Sequence, residues 1–157
     1  MTNPLPATLT DAAATDLSAA LRDRQISARE LMEAVLDRID ATNPAINAIV
    51  TLRPRDALLA EAEAMDAAPH PGPLAGLPIA VKDLVATKDM RTTYGSPVFA
   101  DHVPAKDDLV AARLRAAGAI LIGKTNTPEW GHGSHSFNPV FGATRNPYDS
   151  CLLYTSP

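Results

Sequence analysis

Residues 107–125 read DDLVAARLRAAGAILIGKT, and the fold turns on how this stretch divides. Asp107 or Asp108 supplies the acceptor that the free N–H groups at a helix start require. Leu109, Ala112, Arg113 and Ala116 mark the turns of a helix through Ala117. Gly118 then stands where helices end in a left-handed residue. Ala119-Ile120-Leu121-Ile122 is apolar without alternation, the pattern of a strand buried on both faces. Upstream, Pro78-Ile79-Ala80-Val81 reads as a second buried strand, central in its sheet, and it ends in Lys82-Asp83. Strand, helix and strand make a βαβ unit. The reading predicts an α/β fold, with a mixed, largely parallel central sheet covered by helices on both faces.

Further out, the first half reads as helical. Asp16 is placed to cap a short helix through Leu21. Ser27-Ala-Arg-Glu30 has capping-box spacing, in which each side chain satisfies the other residue's N–H. Leu31, Val35 and Ile39 follow on one stripe. Asn43-Pro44 should stop that helix, because proline pushes its predecessor out of the α region. Ile46 to Leu52 is a strand candidate. Asp56 to Ala67 is a helix with Leu58, Leu59, Ala62 and Met65 inward. Pro69 to Gly76 is a loop rich in proline and glycine. From Asn126 to Asp149 the chain reads as loop, the element that carries active-site residues in such sheets.

The 157 residues suffice for one domain with a core; 46% are hydrophobic and 20% charged, which excludes disorder. A net charge of -4 without a basic block argues against a nucleic-acid or membrane-surface partner. No apolar run approaches the roughly 18 residues of a membrane span, and the first residues lack a signal-peptide pattern. One cysteine, Cys151, allows no internal disulfide, so a cytoplasmic location is expected.

Lys82 is the first candidate site residue. Four apolar residues precede it, and partial desolvation there would lower its pKa toward use as a base. On position alone, an ion pair with Asp83 or another acid is the commoner outcome. Gly118 to Thr125 matches the phosphate-loop pattern G-x-x-x-x-G-K-[ST] in letters. The loop must present open N–H groups, however, and Ala-Ile-Leu-Ile is a strand sequence following a helix, so nucleotide binding is the disfavoured alternative. His132 and His135 lack the further ligands a zinc site needs. A Ser134–histidine nucleophile pair has no strained elbow around it. Trp130 lines a pocket or anchors a core. Tyr94 and Ser96 are substrate contacts only if Lys82 is catalytic.

Taken together, these stretches form an ordered series. Gly76-Leu77-Pro-Ile-Ala-Val-Lys82-Asp83 resembles the lysine-bearing motif of the amidase signature family. Ser27-Ala-Arg-Glu-Leu-Met leading to Asn47-Ala-Ile-Val resembles that family's start. Gly118-Ala, Gly123-Lys-Thr-Asn-Thr-Pro-Glu-Trp-Gly131 and Gly142-Ala-Thr-Arg-Asn-Pro-Tyr148 are similar to its later landmarks. The resemblance covers roughly residues 15–149. It implies a mixed sheet wrapped by helices and hydrolysis of small-molecule carboxylic amides by a Ser–Ser–Lys triad. It makes Lys82 the triad lysine; Gly133 and Ser134, in the loop after Trp130, are lesser candidates for substrate binding. It implies no metal or organic cofactor, and a homo-oligomer stays open.

The glycine- and serine-rich stretch that carries both serines in this family is not found. Residues 1–149 therefore read as the N-terminal part of the domain, and residues 150–157 as a tail that does not match and is non-native in character. Neither Ser150 nor Ser156 takes a role. The 157-residue chain is expected to be inactive and poorly stable, with strand edges and apolar faces exposed. Two alternatives are kept: the glutaminase component of a tRNA-dependent amidotransferase, and a nucleotide-binding module at Gly118–Thr125. The Thr-Pro-Glu-Trp-Gly run is more similar to stand-alone amidases.

Overall fold

A computed structural model describes residue 6, residues 8–67 and residues 72–150. Most of the tail, residues 151–157, and residues 68–71 of the proline-rich loop lie outside the described residues. The order is α1 (Ala14–Arg22), α2 (Ala28–Ile46), β1 (Ile49–Leu52), α3 (Arg55–Ala67), β2 (Pro78–Lys82), α4 (Leu109–Ala116), β3 (Ile120–Thr125), β4 (Phe137–Asn138) and β5 (Gly142–Ala143).

The expected strands and helices form, with some departures. The capping box closes as its spacing implies: Ser27 N–H donates to Glu30 Oε2 at 2.8 Å, and Glu30 N–H to Ser27 Oγ at 3.0 Å. Asp16 caps nothing, because α1 begins at Ala14 with Ala13 before it and Asp16 inside the first turn. Pro44 does not stop α2, which runs on to Ile46. The proline sits in the last turn, where few residues follow it and the missing N–H removes one ladder bond. Asn43 offsets that loss: its Oδ1 accepts the N–H groups of Ala48 and Ile49, both at 2.8 Å. Asn47 then takes the left-handed conformation, with φ 57°. The first strand is correspondingly shorter than the sequence implies. Helix α4 ends as expected. Gly118, at φ 90°, donates to Arg115 O and Ala119 to Leu114 O, which satisfies two terminal carbonyls.

Strand β3 is the centre of a three-stranded sheet of order β1-β3-β2, so β2 is an edge strand among the described residues, not the central one. The sheet is mixed. Ile120 N–H donates to Leu77 O, and Asp83 N–H to Thr125 O, so β2 and β3 run the same way. Strand β1 joins antiparallel, with Thr51 opposite Lys124 and Leu52 opposite Gly123. Residues 120–124 are all buried, whereas in β2 only Val81 is. Uninterrupted burial is the reason Ile120-Leu121-Ile122 lacks alternation.

The chain divides into two compact units. Among the described residues, the first comprises 6, 8–40, 53–67, 72–79 and 113–122. Its interior is aliphatic: Leu21, Leu31, Met32, Leu36, Leu58, Ile120 and Leu121 are buried. Asp66 of α3 also reaches the start of α2, accepting the N–H groups of Ala28 at 2.7 Å and Arg29 at 3.1 Å. Among the described residues, the second unit comprises 41–52, 80–112 and 123–150. Its buried side chains are largely polar: Asp83, Thr87, Thr92, Thr93, Ser96, Lys124, Asn126, Thr127 and Asn138. Buried polar groups persist only when bonded, so this unit is organised by hydrogen bonds.

Candidate active site

Lys82 is the last residue of β2 and is half-buried. The backbone turns directly after it, with Val85 N–H donating to Lys82 O at 2.9 Å. Asp83, the next residue, is wholly buried. Thr93 N–H donates to both Asp83 oxygens at 3.1 Å, and Thr93 Oγ1 donates to Oδ2 at 2.5 Å. Tyr94 N–H donates to Asp83 O at 3.0 Å, so backbone and side chain of one residue pin the 93–95 loop. Burial raises the Asp83 carboxyl above its ordinary range. The Thr93 bonds, the nearby Lys124 charge and the Gly95 N–H pull the other way without winning.

The 129–131 turn docks on this loop. Trp130 N–H donates to Tyr94 O at 2.8 Å, and the two rings stack with centroids 5.5 Å apart and planes 6° apart. Phe99 meets both rings edge-on, at 5.4 Å from Tyr94 and 5.2 Å from Trp130. Trp130 is 55% exposed, so it is no core anchor; it caps a surface aromatic stack. Ser96 is buried and donates its N–H to Thr93 O, a turn contact. Gly131 lies against Leu84, where a Cβ would stand 2.8 Å from Cδ1. The segments carrying Lys82, Tyr94 and Trp130 are therefore held together by main-chain bonds.

Gly133 and Ser134 occupy the exposed turn that follows Gly131. Ser134 Oγ lies 2.8 Å from His135 Nδ1, which is the geometry of a hydroxyl–imidazole pair. Both residues are exposed, and no third group among the described residues binds the His135 ring to orient it, as a nucleophile's base requires. No group of three or more metal-binding side chains occurs among the described residues. No described helix is long and apolar enough to cross a membrane.

The region from Asn126 to Asp149 is more structured than its composition implies. Strands β4 and β5 pair as a small hairpin. Asn138 Nδ2 donates to Asn126 Oδ1 at 2.7 Å and Thr127 O at 2.8 Å, and Asn126 Nδ2 donates to Thr144 Oγ1 at 3.0 Å. Side-chain amides here do what a longer ladder would do elsewhere.

Two residues of the site carry more than their sequence positions convey. From the sequence Asp83 is only an ion-pair partner for Lys82, yet Thr93 binds both its oxygens. Lys124 is only a letter in a phosphate-loop pattern. In the fold it belongs to a strand, is wholly buried, and donates from Nζ to Val85 O and, at 2.7 Å, to Thr87 Oγ1. The available signal is a lysine adjoining a doubly buried strand, which burial obliges to find acceptors. The same geometry disposes of the phosphate cradle, since residues 120–125 are extended and paired on both edges.

Comparison with known proteins identifies the family and the fold. Residues 30–153 match the model of the family described as Amidase. The chain is 44% identical over 146 residues to a glutamyl-tRNA(Gln) amidotransferase subunit of Azoarcus sp. (strain BH72), covering 91% of this chain and 30% of the relative. It is 38% identical to an acylamidase of Rhodococcus erythropolis, covering 86% and 29%. Among solved structures, a fatty acid amide hydrolase superposes with a TM-score of 0.87 at 26% identity, over 98% of this chain and 28% of that one. A 6-aminohexanoate cyclic dimer hydrolase superposes with a TM-score of 0.81 at 31% identity, over 92% and 29%. The chain thus spans about 30% of the length of the curated relatives it matches. With the family model covering most of its residues and the fold superposing on an amide hydrolase, the chain belongs to the amidase signature family.

Proposed function

We propose that Lys82 is the proton acceptor of a Ser–Ser–Lys triad that hydrolyses small-molecule carboxylic amides. The observation that carries this reading is the position of Lys82: the end of β2, half-buried, within the family's lysine motif and beside a loop pinned by Asp83. In the proposed sequence, neutral Lys82 takes a proton from a bridging serine, which takes one from the nucleophilic serine. The alkoxide adds to the amide carbonyl while backbone N–H groups hold the oxyanion. The amine leaves with the returned proton, and water then releases the acid from the acyl-enzyme. Both serines belong to a stretch that residues 1–157 do not contain, so Lys82 is the one triad member assigned. Gly133 and Ser134 are proposed as substrate contacts on the exposed turn beyond Trp130.

A second reading is favoured by the 44% identity to an amidotransferase component. In that case the amide would be glutamine and the ammonia would pass to a partner's reaction. The acylamidase relative favours the stand-alone reading.

The test uses two lengths of chain. The 157 residues alone are expected to turn over neither a simple aryl amide nor glutamine. A version extended to include the serine-rich stretch is expected to turn over one of them. Lys82→Ala should lower that rate by about 10²–10⁴-fold, the usual worth of a positioned proton acceptor. An extended Lys82→Ala enzyme with undiminished kcat removes Lys82 from the mechanism. The preferred substrate separates the two readings.

A further inference from the structure

We propose that Lys124 is a positioning residue for Lys82, acting through the backbone turn that leaves β2. The proposal rests on the catalytic reading of Lys82 given above. Lys124 lies on the central strand with no solvent exposure. A buried amine without acceptors would be severely destabilising, and a methionine would fill similar space without that penalty. Its acceptors explain the choice of lysine. Nζ donates to Val85 O and to Thr87 Oγ1, and Thr87 Oγ1 donates to Val85 O at 3.0 Å. Val85 N–H in turn donates to Lys82 O. The chain of bonds therefore runs from β3, through both sides of the Val85 residue, to the carbonyl of Lys82.

On the other side of the turn, Asp83 is held by Thr93, and its N–H extends the pairing to Thr125. Residues 82–87 are thus fastened from β3 at Asp83, Val85 and Thr87. Bonds at these three points fix the backbone of the turn, and with it the place from which the Lys82 side chain starts. Preorganisation of this kind is what a proton acceptor needs, because a small misplacement forfeits much of the rate. The charge on Lys124 is also near enough to act on Asp83, which places both buried groups in the environment of the turn.

The experiment reads Lys82 directly and does not depend on turnover. The 157-residue chain is labelled with trace acetic anhydride across a pH series, and modification of each lysine is quantified by peptide mass spectrometry. Exposed Lys88 and Lys106 serve as internal references. Thr87→Val keeps the volume and removes the hydroxyl; Thr87→Ser keeps the hydroxyl; Lys124→Met removes the donor. Thr87→Val and Lys124→Met are expected to change Lys82 labelling by about threefold or more, through altered exposure and solvation of the amine. Thr87→Ser should restore the wild-type profile, a rescue that a packing role does not produce. An unchanged Lys82 profile in Thr87→Val, with near-UV circular dichroism intact, overturns the proposal. So does loss of the near-UV signal in both Thr87→Val and Lys124→Met, since the bonds would then serve the fold and not Lys82. Failure of the catalytic reading shows separately, as undiminished turnover of Lys82→Ala in the extended enzyme.

Discussion

At the scale of single residues, Asp83 does most to shape the site. Its carboxylate takes up the N–H and hydroxyl of Thr93 in a fully buried setting. Removing it in Asp83→Ala leaves those donors unsatisfied, and the expected loss is about 1–3 kcal/mol in a urea melt. The pH dependence has an unusual sign. The unfolded chain releases this proton near the ordinary value of 3.8, whereas the folded chain holds it to higher pH because burial disfavours the anion. Across that interval the folded state binds more protons, so this group's stabilising contribution is full below 3.8 and falls as pH rises through the raised value. Melts of wild type and Asp83→Asn across the acid range should show the wild type losing ground to the variant as pH rises from 3.8. The opposite trend would mean that Asp83 is stabilised as an anion. The adjacency of Lys82 and Asp83 is plain in the sequence; that Thr93, ten residues on, claims Asp83 is not.

At the scale of elements, local chemistry is legible where partners are close in sequence. The Ser27–Glu30 box and the Gly118 terminus both form as their spacing implies. Ser27→Ala should cost about 1 kcal/mol, since one first-turn N–H loses its acceptor. The second support for that turn, Asp66 of α3, keeps the loss from being larger. A thermal melt of Ser27→Ala, beside Asp66→Ala and the double variant, measures the coupling; strict additivity would show that the two caps act independently. Pro44 departs from expectation because the rule for the residue before proline is local. Asn43 and Asn47 hold the last turn through bonds to Ile49 O, Phe141 O and Ala143 O, and the latter two lie far along the chain.

At the scale of the whole molecule, one compact unit has an aliphatic interior and the other a largely polar one. The phosphate-loop letters run through strand β3, which presents no open N–H cradle. Titration calorimetry with MgATP is therefore expected to give no binding heat, and a saturable heat lost in Lys124→Met would contradict the strand assignment. By itself the sequence determined the order of helices and strands from α1 to β3, though not the β4–β5 hairpin, and the landmarks that mark the family. Those signals lie in short contiguous runs: helical period, uninterrupted apolar strands, caps and the lysine motif. Only the tertiary structure decided that β3 and not β2 is central, that Lys124 bonds to the turn after Lys82, and that Thr93 holds Asp83. Each depends on which distant segments meet, and burial then forces their polar groups to pair, which no local pattern records.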